Sequence, residues 1–108
     1  MYCGSPAGFA VQGEFLRGMP AESMTQEDIQ LLMGAVNAAL EASPDQTTTQ
    51  WNNPKTQAHG DITPVGSFEK SGRRCRKLEV ANTARGRSNR VVVSFCRQAD
   101  GQWKVEPD

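Results

Sequence analysis

The chain has 108 residues, a formal net charge of zero and 37% hydrophobic residues. That allows one small domain, able to bury somewhat under ~70% of its unfolded surface. No stretch is long and apolar enough to span a bilayer as a helix. The zero net charge hides an asymmetry: residues 1–54 carry one basic and six acidic side chains, whereas 55–108 carry eleven basic and six acidic. Between Lys70 and Arg97 nine basic residues stand against one acid, Glu79. Such a cluster suits nucleic acid, anionic lipid or an acidic protein. It equally suits an exposed hairpin kept soluble by its charge, which is the reading preferred here.

Residues 1–22 are rich in Gly, Ala and Pro and read as a tether or short helix ahead of a single α+β domain over 23–108. Gly8, Gly13 and Gly18 each oppose a helix there. From Gln26 to Ala42 the spacing predicts an amphipathic helix, with Ile29, Leu32, Met33, Val36 and Leu40 on one stripe. Thr25 is its N-cap, Asp28 completes an approximate capping box, and Ser43-Pro44 stops it. Strands follow. Thr47–Trp51 is the first, Asn52-Asn53-Pro54 turns the chain, and Lys55–His59 is a polar loop. Ile62–Lys70 is the second strand, with Pro64 and Gly66 pointing to an edge or a bulge. Ser71-Gly72 is a tight turn, Arg73–Thr83 the third strand and Ser88–Arg97 the fourth. Asp100-Gly101 makes the last turn, and Gln102–Glu106 closes a four- to five-stranded antiparallel meander.

Folding the third and fourth strands about a two-residue loop at Arg85-Gly86 sets Val80 opposite Val91, Leu78 opposite Val93 and Cys75 opposite Cys96. One register thus aligns an apolar face for the helix and brings two cysteines together on the other face. They meet as a non-hydrogen-bonded pair, where Cα atoms approach to roughly 4.5 Å, within reach of a disulfide. The bond would stabilise by roughly 3 kcal/mol in the chain-entropy model, and it points to an oxidising compartment. Arg85 is a poor residue for a loop that needs positive φ at both positions.

Several fragments, in order, carry a family likeness. Trp51-Asn52-Asn53-Pro54, then Gly60 and Pro64, then Cys75-Arg76 preceded by Gly72, then Cys96-Arg97 followed by Asp100-Gly101-Gln102-Trp103, resemble the 17-kilodalton surface antigen family of Gram-negative envelopes. The resemblance covers the C-terminal globular part of that family. It implies an outer-membrane or periplasmic lipoprotein domain, with no catalytic residues to carry over. Cys3-Gly4-Ser5 resembles the mature start of a bacterial lipoprotein, which makes Cys3 a candidate lipidation site; no leader is read ahead of it. Membrane attachment would run through a processed or missing N-terminus, and the alternative is a cytosolic protein.

Catalysis needs converging reactive groups, and the one histidine, His59, has no nucleophile or orienting acid placed beside it. Cys75 and Cys96 lie too far apart for a short-spaced zinc motif, so neither a metal nor a cofactor is expected. The candidate partner-binding residues are Trp51, Arg76, Arg85, Arg87, Arg97 and Trp103. For the two tryptophans a structural role at the core edge is the stronger reading, and Arg76 and Arg97 are expected to pack their stems on Phe95 or Trp103. The function expected is a non-enzymatic envelope module that binds a protein or cell-wall component. Set against it are a nucleic-acid or acidic-partner binder using hairpin 70–97, and a periplasmic hydrolase inhibitor. Nucleic acid is disfavoured because the hairpin lacks aromatics for base stacking.

Overall fold

In a computed structural model describing residues 23–106, the first long element is α1, Gln26–Ala42. Its start is locally determined. Thr25 Oγ1 accepts from Asp28 N–H at 3.1 Å, and the Asp28 carboxylate accepts from Thr25 N–H at 2.9 Å, closing the capping box. Leu32, Met33, Val36, Ala39 and Leu40 are buried along one stripe, and Ile29 packs against them in part. The expected bounds and stripe are those observed.

Five strands follow: β1 (Thr49–Asn53), β2 (Ala58–Lys70), β3 (Arg73–Ala84), β4 (Arg87–Arg97) and β5 (Trp103–Val105). They form one antiparallel sheet in the order β1-β2-β3-β4-β5. The fold is therefore the α+β meander expected, with α1 packed on one sheet face. Its core joins the helix stripe to Trp51, Ala58, Ile62, Leu78, Val80, Ala84, Phe95 and Trp103. Each large side chain taken fully out of water stabilises by roughly 1.5–3 kcal/mol.

The first two strands depart from expectation. β1 begins two residues later and takes in Asn52 and Asn53, because Asn53 is held in the interior and the turn moves to Pro54–Gln57. That turn closes with Gln57 N–H donating to Asn53 O at 2.7 Å. β2 begins at Ala58, so His59 lies on a strand rather than in a loop, though it is exposed. The register shifts between Pro64 and Gly66. The extra residue reverses the faces: Gly60, Ile62 and Pro64 are buried, whereas Phe68 pairs with Cys75 on the opposite face. β2 is an interior strand only as far as Ile62, where β1 ends its pairing; beyond that point it is an edge, which accommodates Pro64.

The β3–β4 hairpin has the register read from the sequence, from Ala84 opposite Arg87 to Cys75 opposite Cys96. Its loop residues Arg85 and Gly86 both have positive φ, 53° and 77°. An arginine therefore takes the left-handed position directly in the two-residue loop.

Candidate functional site

Two clusters tie the helix to the sheet, and they use most of the residues that the sequence singles out. At the helix C-terminus, Arg76 sits on the core face of β3, in phase with Leu78 and Val80, and is 4% exposed. Its Nη1 donates to Ala39 O at 2.9 Å and Leu40 O at 3.0 Å. Its Nη2 donates to Ser43 O at 2.6 Å and to Asp45 Oδ1 at 2.9 Å. The last turn of α1 has no basic residue of its own. Arg76 supplies, from another element, the cation and the donors that the terminal carbonyls lack. Beside it, Glu41 accepts from Trp103 Nε1 at 2.9 Å and from Arg97 Nη1 at 3.4 Å, while the Arg97 guanidinium lies 5.8 Å from the Trp103 ring centre.

At the other end, Asp28 is fully buried and accepts from Asn53 Nδ2 at 2.8 Å and Thr56 Oγ1 at 2.7 Å. Burial pushes its pKa up. The hydrogen bonds from Thr25, Thr56 and Asn53 outweigh that and hold the carboxyl below its usual value of 3.8. Trp51 lies opposite Gly60, and Gly60 opposite Asn82. The indole crosses over Gly60 and donates to Asn82 Oδ1 at 3.1 Å. A Cβ at position 60 would stand 2.4–2.5 Å from Asn82 Oδ1, Ala81 O and Trp51 Nε1, so only glycine fits beneath the ring.

These placements correct the idea of Trp51, Arg76 and Trp103 as a solvent-facing contact patch. All three are buried; the two indole N–H groups and both Nη atoms of Arg76 donate inside the fold. Arg76 and Arg97 adjoin the disulfide in sequence but lie on the opposite face of the sheet from it; Arg76 is the Cα partner of Phe95 and Arg97 that of Trp103. The structure keeps Arg85 and Arg87 exposed at the β3–β4 tip, and neither forms an ion pair among the described residues. Arg90 pairs with Glu79 at 3.2 Å. Cys3 lies outside the described residues.

The Cys75–Cys96 disulfide is formed, with a Cα–Cα distance of 4.0 Å, and both half-cystines are fully buried. It lies on the face away from α1, in a row with Phe68 and Lys104 across the four inner and outer strands. On that open face Val65, Phe68 and Val92 are exposed, Val92 at 56%. The sequence reading missed them: the bulge hides Phe68, and Val92 sits in the run Val91-Val92-Val93, where alternation gives no sign of facing.

His59 Nδ1 lies 3.2 Å from Gln57 O, and no nucleophilic side chain is hydrogen-bonded to the ring among the described residues. Among the described residues no group of three or more His, Cys, Asp or Glu could hold a metal ion, and no helix is long and apolar enough to cross a membrane. The geometry is that of a disulfide-stapled α+β module whose polar clusters fasten the helix to the sheet.

The chain belongs to the 17 kDa outer membrane surface antigen family, whose model matches residues 38–104. That span holds Trp51, Gly60, Arg76, both half-cystines and Trp103. Among curated proteins the chain is 32% identical over 83 residues to a 17 kDa surface antigen of Rickettsia bellii, covering 76% of this chain and 52% of the relative. It is 34% identical to those of Rickettsia felis over 83 residues, with the same coverage, and of Rickettsia prowazekii over 81 residues, covering 74% and 51%. The chain thus spans about half the length of the curated relatives it matches. No solved structure matches it.

Proposed function

We propose that this chain is the non-enzymatic globular module of a bacterial envelope surface antigen. It is exposed in the outer membrane or periplasm, where it binds an envelope protein or cell-wall component. The observation that carries this is the buried Cys75–Cys96 bond inside the family-matched span, since such a bond forms and persists in an oxidising compartment. The names of the relatives add cell-surface exposure. Cys3 is the residue proposed for lipid attachment.

Of the competing readings, recognition of an acidic partner through hairpin 70–97 has a specific observation in its favour: Arg85 and Arg87 stand exposed without an internal counter-ion among the described residues. A hydrolase with an acidic cleft would be one such partner.

The test is fractionation of the source cells, with alkylation before lysis and peptide mapping. Recovery in the envelope fraction with Cys75 linked to Cys96 supports the proposal. Recovery in the cytosol with both thiols free overturns it.

A further inference from the structure

β4 runs for eleven residues, but β5 covers only its last three, Phe95–Arg97. The two-residue loop makes Ala84 and Arg87 the closing pair of the hairpin. From there the odd-numbered residues of β4 spend their backbone groups on β3, and the even-numbered ones point the other way. The bond from Glu106 N–H to Ser94 O, 2.8 Å, shows this parity on the outer side. Ser88, Arg90 and Val92 therefore present N–H and C=O groups outward, and no described strand runs beside them. Among the described residues Val92 is also the most exposed of the large hydrophobics. Natural sheets seldom leave such an edge bare.

We propose that this edge accepts an extended acidic segment of a partner protein as an added strand. The inference rests on the reading of the chain as a binding module and names the chemistry of what it binds. Charge selects the occupant. Arg85, Arg87 and Arg90 border the open stretch, and Arg90 shares the open face with Val92. A second copy of this chain is the poorer fit. The antiparallel register that satisfies Ser88, Arg90 and Val92 together sets Arg90 directly opposite its own copy, and like charges so placed are destabilising. An acidic residue opposite Arg90 joins Glu79 on the guanidinium instead, and an apolar residue two positions away, on the same face of the incoming strand, covers Val92. Main-chain bonds supply affinity and the alternating side chains supply selectivity.

The test is amide hydrogen exchange on the whole chain with a blocked nonapeptide in which Val and Glu alternate along one face with Thr at every other position, and with its Lys-for-Glu counterpart. The free protein should exchange rapidly at Ser88, Arg90 and Val92. The acidic peptide should slow those amides at least tenfold and leave Val91 and Val93 unchanged, and the basic peptide should have no effect. Val92→Pro removes an outward N–H without touching the β3 ladder and should abolish the protection. Arg90→Glu, which keeps the backbone, should transfer it to the basic peptide. Slow exchange in the free protein would mean that the edge is covered by the chain itself or by a second copy, which sedimentation separates, and would overturn the proposal. So would no protection by either peptide, or equal protection by both. Because the peptide test is independent of cell fractionation, the edge and the compartment can fail separately.

Discussion

Arg76 ends a helix to which it does not belong: its Nη1 lies 3.0 Å from the carbonyl oxygen of Leu40, 36 residues away in sequence. With Ala39, Ser43 and Asp45 as further acceptors, one guanidinium fixes the end of α1, the loop after it and the middle of β3. Replacing Arg76 with Ala strands these carbonyls in the interior and should cost about 3 kcal/mol or more. Arg76→Lys keeps the charge but loses the planar fork, and should recover only part of that loss. Urea unfolding of the three proteins checks this; an Ala variant within 0.5 kcal/mol of the parent would rule out the capping role.

Gly60 is required by the indole that lies over it. Gly60→Ala brings a Cβ against Ala81 O as well as against the Asn82 and Trp51 side chains. The expected loss is about 2–3 kcal/mol, as for overpacking of a tight interior. Trp51→Phe removes the indole N–H but leaves the Ala81 carbonyl in place. Combining it with Gly60→Ala should therefore be less than additive without restoring stability. Strict additivity in thermal or urea unfolding would mean that the two residues do not share the site.

The disulfide closes a loop of 21 residues of sequence separation around the hairpin. Cys75→Ala with Cys96→Ala should lower stability by about 3 kcal/mol, a large share of what a domain of this size possesses. Both half-cystines are fully buried. Reduction of the native protein should therefore wait on unfolding, and its rate with a mild thiol should rise with denaturant. Fast reduction without denaturant would contradict that burial.

What the sequence disclosed was chiefly what is local or periodic. Thr25, Asp28 and Ser43-Pro44 bracket the helix within a few residues of chain, and the Cys-Arg repeats with Arg85-Gly86 set a hairpin register that the structure reproduces. Arg76 was legible only in part. Its parity along β3 matches Leu78 and Val80, and structural packing was the reading preferred for it, but nothing local names the groups that offset the cost of burying an arginine. The compensation comes from helix carbonyls whose proximity depends on the tertiary fold. Asn53 likewise reads as a turn residue, and only the distant Asp28 explains why it stays within β1.

Asp28 makes the fold acid-sensitive in a definite window. Burial raises its pKa, but the bonds it accepts from Thr25, Thr56 and Asn53 outweigh burial, so the folded value lies below 3.8. A carboxyl depressed in the folded state binds fewer protons there than in the unfolded chain, so stability falls as pH falls. Its contribution is complete above the unfolded value near 3.8 and is lost progressively as pH drops through the folded one. Asp28→Asn should lower stability at neutral pH by about 1–3 kcal/mol, through the lost charge-assisted bonds and capping box. It should also flatten the decline below roughly pH 4. Urea midpoints for both proteins across that range decide the matter: parallel curves would assign the acid transition to another carboxylate. Glu106 is the next candidate, because the hydrogen bond from Lys70 and the positive charges of Lys70 and Arg73 hold its pKa below 4.5.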